Sequence, residues 1–200
     1  MPDSSENIAA LIGSRICHDL ISPVGAVANG LELLELSGVP KGPELSLATQ
    51  SAGSAAARLR FFRLAFGVAD AEARLSVADL TAIVAATYAE SRTKVELRAE
   101  GALPRPQVKA ALLALLCAEE ALTVGGPITI DRNVRGEWRV AVRAERLSPD
   151  RALWAILDGA APPDPVRADA VQFILLPREL ARQNRKPIAQ LAEKEAAITF

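Results

Sequence analysis

The only histidine of this chain, His18, lies in the string RICHDLISPVGAVANGL, residues 15–31. Asp19 follows it directly, and Ser22 lies four residues further on, which is one turn of a helix. Imidazole is partly neutral near pH 7, so it is a nucleophile toward an acyl phosphate and a good leaving group in the reverse direction. Asp19 is placed to orient the ring or to accept its proton. Taken alone, however, a single histidine is more often a structural or surface residue, and Asp19 an exposed helix acid.

Helical periodicity over residues 7–36 separates His18 from the apolar side of its helix. One apolar stripe contains Ile16, Leu20, Val24, Val27, Leu31 and Leu34. At about 100° per residue, His18 lies nearly opposite this stripe and Ser22 points the same way as His18. We expect the stripe to pack inward and His18 to face water. That placement argues against a core histidine, and His18 is then either an ordinary surface residue or part of a functional site. Pro23 within the helix costs about 3 kcal/mol and frees a carbonyl, so it indicates local shaping or else a tolerated kink.

A second helix is predicted over residues 44–69, after a glycine- and proline-rich turn at 37–43. In the resulting hairpin, His18 is level with about residue 64. Arg60 and Arg63 lie close to that height, and Arg58 is about one turn before them. One of them is placed to steady phosphoryl oxygens or an acidic partner surface, although ordinary solvation remains the alternative for each. The hairpin carries more apolar surface than its two helices cover, which predicts a homodimer forming a four-helix bundle.

The composition narrows the class of protein. The chain has 200 residues, half of them apolar, and a net charge of −1, which gives no electrostatic reason to expect nucleic acid or an anionic membrane as a partner. No apolar run approaches the roughly 20 residues of a membrane span, and the polar, acidic start is unlike a signal peptide. We therefore expect a cytoplasmic protein. Cys17 and Cys117 form no CxxC motif, which argues against a disulfide or a zinc site.

From about residue 76 the pattern becomes mixed, and we place a helical domain at 1–72 and a second domain at 73–200. Ser76 is a predicted cap for a helix ending near Tyr88, with Asp79 answering the cap. Strands are predicted at 94–100, in a hairpin around NVRG, and in two further segments near the C-terminus; helices are predicted at 107–124, 149–158 and 167–183. The fold class is α+β, with the helices of the second domain on one face of a sheet.

The string around His18 resembles the H-box of dimeric histidine phosphotransferases of the ChpT type, and more loosely that of sensor histidine kinases. RLRFFRLAFG, residues 58–67, is similar to the second helix of that family. The resemblance implies a dimeric bundle followed by a degenerate, histidine-kinase-like (GHKL) ATPase domain. It also implies phosphoryl exchange with receiver domains of a hybrid kinase and of response regulators. His18 corresponds to the phosphoryl-accepting histidine, Asp19 to its acidic neighbour and Ser22 to the polar residue four positions on.

Two alternatives remain, namely an ATP-dependent histidine kinase and a non-catalytic dimerisation adaptor with a relic H-box. Kinase ATP domains carry two asparagines four residues apart, where this chain has Ala114 and Ala118, and after Glu137 its only glycine is Gly159. A phosphate-cradling loop is hard to build from such a segment. We therefore expect no cofactor of its own, with Mg²⁺ supplied by the partner receiver domain. The retained group of His18, Asp19, Ser22 and Pro23 argues against a relic. The sequence does not identify the cognate receivers.

Overall fold

The computed structural model describes residues 4–38, 42–165 and 167–200. The chain forms two compact units that meet between Val68 and Ala69, a few residues before the boundary placed at residue 72 from the sequence. Residues 39–41 of the predicted turn at 37–43 lie outside the described residues. Each unit is described by itself below.

The first unit is a helical hairpin. Helix α1 spans Ser4–Leu36 and helix α2 spans Pro43–Phe66. Pro43 stands in the first turn of α2, where the missing N–H of proline is not needed for the helix ladder. The two helices pack against each other, and α2 buries the following side chains: Ala56, Ala57, Phe61, Leu64 and Ala65. Small residues in this set allow close approach of the two helices.

The side of α1 that faces α2 is rotated from the stripe predicted to pack inward. Cys17 is buried, and the half-buried residues continue from it at helical spacing: Ile21, Val24, Ala28 and Leu31. The other members of the predicted stripe, here called the open stripe, are exposed by 53, 44, 57 and 47%: Ile16, Leu20, Val27 and Leu34. Within a single chain, α2 therefore covers only part of the predicted stripe, and the packing of the open stripe inside a dimeric bundle stays a prediction. The apolar arc of α1 is wider than the strip that a single neighbouring helix covers.

The second unit combines helices with a mixed sheet. Its elements, in order, are β1 (Arg74–Ser76), α3 (Val77–Tyr88), β2 (Lys94–Arg98), β3 (Ala102–Pro104), α4 (Arg105–Glu120), β4 (Pro127–Arg132), β5 (Trp138–Arg143), α5 (Arg151–Leu157), α6 (Val171–Arg182), β6 (Ile188–Leu191) and β7 (Glu195–Thr199). A short 3₁₀ turn, Ala168–Ala170, precedes α6. The main sheet has the order β2-β4-β5-β7-β6, with β2 and β4 parallel and the other pairs antiparallel. The predicted α+β class is confirmed.

Local signals in the sequence explain most of these elements. The backbone N–H of Asp79 donates to Ser76 Oγ (3.0 Å), and Ser76 Oγ donates to the Asp79 carboxylate (2.6 Å), so the predicted cap of α3 is confirmed. The antiparallel pairing of β4 with β5 confirms the predicted hairpin. Strands β1 and β3, which pair with each other, were not predicted. Each has only three residues, too few for a periodic pattern to register.

Helix α4 forms the centre of the second unit. Nearly all its side chains from Val108 to Ala118 are buried, so its apolar run reflects packing on several sides. It contacts β5 on one side and α6 on another. None of the helices in the described part of the chain is both long enough and apolar enough to cross a membrane.

Candidate functional site

His18 lies in the middle of α1 and faces solvent, with 79% of its side chain exposed. It directly follows the buried Cys17, and one position along a helix corresponds to about 100° of rotation. Val27, in the open stripe, is nine residues away, which amounts to about half a turn of rotation. His18 therefore points away from both apolar sides of α1. The predicted exposure of this residue is confirmed, and a core histidine is excluded.

Asp19 joins His18 to a second residue of the same helix, Arg15. The Nδ1 atom of His18 lies 3.1 Å from Asp19 Oδ1, and Arg15 Nε donates to Asp19 Oδ2 at 2.6 Å. Both oxygens of one carboxylate are thus engaged by groups that lie within the same turn of α1. The hydrogen bonds from His18 and then from Arg15 lower the pKa of Asp19 below its usual range, so Asp19 is ionised at neutral pH.

This arrangement selects one tautomer of the neutral imidazole. An ionised carboxylate has no proton to donate, so the contact at Oδ1 requires a proton on Nδ1 of His18. The lone pair of the neutral ring then lies on Nε2. Because the side chain is exposed, that nitrogen is accessible to an incoming electrophile. The role considered for Asp19 from the sequence, orienting the ring, agrees with this geometry.

Ser22 and Pro23 lie one turn beyond the histidine. Both are exposed, and α1 continues without a break through Pro23 to Leu36. Proline has no N–H, so the backbone carbonyl of Asp19, four residues earlier, receives no hydrogen bond from position 23 in the helix ladder. The helix turn after His18 thus carries an exposed hydroxyl and a carbonyl without a partner from position 23. The Ser22 hydroxyl and the Asp19 carbonyl thus add polar groups to the part of α1 that follows His18.

Arg58 lies on a different side of α2 from Arg60 and Arg63, which are three residues apart and are neighbours on the helix surface. Arg58, Arg60 and Arg63 are all exposed, but five residues separate Arg58 from Arg63, which rotates them about 140° apart. Arg63 lies near the histidine's neighbour: burial raises the pKa of the Cys17 thiol, and the charge of Arg63 opposes that rise. Arg63 is therefore close enough to the Cys17 thiol for its charge to act on it. A role for any of the three in binding a phosphoryl group remains a prediction.

The second unit has methyl groups at the two helix positions discussed for nucleotide binding. Ala114 and Ala118 of α4 are fully buried, so neither position presents a side chain to a ligand. Gly159 follows α5, at a positive φ of 97° that glycine adopts without strain.

At the interface of α4 and α6, Lys109 and Glu179 form a buried ion pair with an Nζ–Oε2 distance of 3.6 Å.

The residue of this site that sequence reasoning missed is Arg15. Its charge has the opposite sign to that of Asp19, and the two are four residues apart on a predicted helix. That spacing brings side chains together on the helix surface. The signal for this pair was therefore present in the sequence, as opposite charges at the spacing of helix neighbours.

Comparison with known proteins agrees with this geometry. Residues 77–195 match the family model described as the histidine phosphotransferase C-terminal domain. The chain is 37% identical over 176 residues to the protein phosphotransferase ChpT of Brucella abortus (strain 2308), covering 84% of this chain and 83% of that protein. A solved structure described as a bacterial phosphotransferase superposes with a TM-score of 0.72 at 26% identity, covering all of this chain and 97% of the other. The chain belongs to the family of ChpT-type histidine phosphotransferases.

Proposed function

We propose that this histidine phosphotransferase carries the phosphoryl group on Nε2 of His18 and passes it between aspartates of receiver domains. The observation that carries the proposal is the exposed imidazole whose Nδ1 is engaged by Asp19, because it leaves a lone pair on an accessible nitrogen. Family membership supplies the class of reaction. The receiver domains would belong to a hybrid histidine kinase and to response regulators, and transfer would occur in the cytoplasm.

The transfer step needs little from the protein beyond positioning and charge. The Nε2 lone pair attacks the phosphorus of the receiver's aspartyl phosphate, the N–P bond forms, and the P–O bond to the aspartate carboxylate breaks. The proton stays on Nδ1, where the Asp19 carboxylate stabilises the positive charge of the phosphorylated ring. The same charged ring is a good leaving group when the phosphoryl group moves on to a second aspartate. Transfer in either direction therefore uses the same contacts.

Mg²⁺ is proposed to arrive with the receiver domain. Asp19 is the carboxylate beside His18, and both its oxygens are already engaged by Arg15 and His18. Mg²⁺ prefers several oxygen ligands in octahedral geometry, which this turn of α1 does not supply. Arg58, Arg60 and Arg63 are proposed to contact the phosphoryl group or the acidic surface of the receiver, with Arg63 favoured among them because its charge acts on Cys17, the residue before His18.

The chain is further proposed to act as a homodimer that uses no ATP. The open stripe is an uncovered apolar surface on α1, half a turn away from His18. A second copy packed there would form a four-helix bundle and would leave both histidines exposed. The buried Ala114 and Ala118 provide no polar side chain to hold a nucleotide or its metal. Transfer would therefore depend on a phosphorylated partner alone.

The test is the transfer of ³²P from a phosphorylated receiver domain to the full chain, with a parallel incubation in Mg-ATP. Wild type should take label from the receiver and none from ATP. The label should be acid-labile and stable to base, as a phosphoramidate is, and His18→Gln should take none. Asp19→Ala should slow transfer in both directions, whereas Ser22→Ala, one turn away on the same exposed side, should change it less and should chiefly affect loss of phosphate to water.

The outcomes separate the three functions considered from the sequence. Label accepted by His18→Gln would refute the assignment of the phosphoryl group to His18. Label incorporated from Mg-ATP would show that the chain is an ATP-dependent histidine kinase. A receiver panel that labels neither wild type nor Ser22→Ala would leave the dimerisation adaptor as the better description.

A further inference from the structure

We propose that Arg15 is a positioning residue for phosphoryl transfer, acting through Asp19 on the ring of His18. This inference rests on the proposed function and extends it to a residue that does not touch the phosphoryl group. The three side chains form a continuous chain of contacts: Arg15 Nε to Asp19 Oδ2 at 2.6 Å, and Asp19 Oδ1 to His18 Nδ1 at 3.1 Å.

The contacts are local to α1. Arg15 precedes His18 by three residues and Asp19 by four, and residues at these two spacings are neighbours on a helix surface. Both contacts of this chain are therefore made between side chains of α1. It is also independent of dimer formation, since the open stripe lies on another side of the helix.

Arg15 determines where the Asp19 carboxylate lies. The side chain of Asp19 is about half exposed, and an unrestrained carboxylate at such a position samples several rotamers and hydrogen-bonds to water. Arg15 engages the oxygen that His18 does not use, which fixes the carboxylate plane and leaves Oδ1 directed at Nδ1. Removing Arg15 should shorten the time that Asp19 spends against the ring. The population of the His18 tautomer with the proton on Nδ1 should then decrease.

The ring of His18 can be observed directly, because no other histidine is present in the chain. Two-dimensional ¹H–¹⁵N spectra of the full-length protein labelled with ¹⁵N-histidine contain the two ring nitrogens of one residue, and their chemical shifts report the tautomer ratio. We compare wild type with Arg15→Met, which keeps a long helix-forming side chain without charge or donors, and with Arg15→Lys. The matched control is Arg98→Met, which removes an exposed arginine paired with Glu96 in the second unit.

In Arg15→Met, the tautomer ratio should shift away from protonation at Nδ1. Transfer from a phosphorylated receiver should slow by about threefold to fivefold, since an exposed ion pair has a modest effect. Arg15→Lys should return both readouts most of the way to wild type, because an ammonium at the same spacing also reaches the carboxylate. Arg98→Met should match wild type in both, and far-UV circular dichroism should show the same helix content in all four proteins.

Two results would overturn the inference. One is an unchanged tautomer ratio together with an unchanged transfer rate in Arg15→Met. The other is a slower transfer with an unchanged tautomer ratio, since Arg15 would then act on the receiver and not through Asp19. Failure of the proposed function is distinguishable from both, because the tautomer ratio is measured without any receiver domain present.

Discussion

The open stripe of α1 leads to a quantitative prediction about dimer formation. Val27 lies at the middle of the stripe and is 57% exposed in the single chain. If a second copy covers this surface, Val27→Asp should place a carboxylate in the apolar centre of the interface in each protomer. We expect this substitution to convert the dimer into a monomer while leaving the hairpin folded, because the α2-facing side of α1 is unchanged.

The magnitude follows from the exposure of Val27. Full burial of a valine or leucine side chain is worth about 2 kcal/mol, so covering the exposed half of Val27 contributes about 1 kcal/mol. A two-fold dimer contains this contact twice, so its loss amounts to about 2 kcal/mol. Two carboxylates moved from water into the interface cost several kcal/mol more. A total of about 4 kcal/mol or more corresponds to at least a thousandfold rise in the dissociation constant.

Sedimentation velocity at micromolar protein distinguishes the two states. Wild type should sediment as a dimer and Val27→Asp as a monomer. The matched control is Val134→Asp, the same change at a position in the β4–β5 turn that is 99% exposed, and it should remain a dimer. A folded wild-type monomer at this concentration, or a Val27→Asp dimer of unchanged affinity, would contradict the reasoning.

Two further predictions concern stability. Lys109→Met removes one partner of the buried ion pair with Glu179 and should lower the free energy of urea unfolding of the second unit by about 3 kcal/mol. The double variant Lys109→Met with Glu179→Leu should recover most of that loss. A double variant no more stable than Lys109→Met would count against this account. Pro23→Ala restores an N–H that can donate to the carbonyl of Asp19 and should stabilise α1 by up to about 3 kcal/mol, measured as helix content during thermal unfolding. Unchanged stability of α1 would show that the proline is already accommodated.

The elements that were predicted correctly are those with local causes. The Ser76 cap needs only the backbone of Asp79, and the turn between β4 and β5 brings together strands that adjoin in sequence. Strands β1 and β3 are different, because Arg74 pairs with Pro104 across an intervening helix and strand. Helix α4 packs beside both of these short strands. The sequence has no local signal for such a contact.

The helical phase of α1 shows a second limit. Periodicity identifies an apolar arc, but it does not say which part of the arc faces α2 and which part is left for another partner. Val24 and Leu31 were assigned to the same inward stripe as Val27, although the structure half-buries the first two and exposes the third. Distinguishing them requires the position of α2. The predicted exposure of His18 did not depend on this distinction, because His18 lies away from both sides.

This separation of faces allows the two halves of the proposed function to be tested independently. Arg15, His18 and Asp19 contact one another through the geometry of a single helical turn, whereas dimer formation depends on Val27, half a turn of rotation away. A monomeric Val27→Asp protein should therefore keep the wild-type tautomer ratio at His18. Arg15→Met should in turn shift that ratio without changing the dimer. If Val27→Asp altered the tautomer ratio as Arg15→Met does, the geometry of Arg15, Asp19 and His18 would depend on the bundle and not on the local geometry of α1.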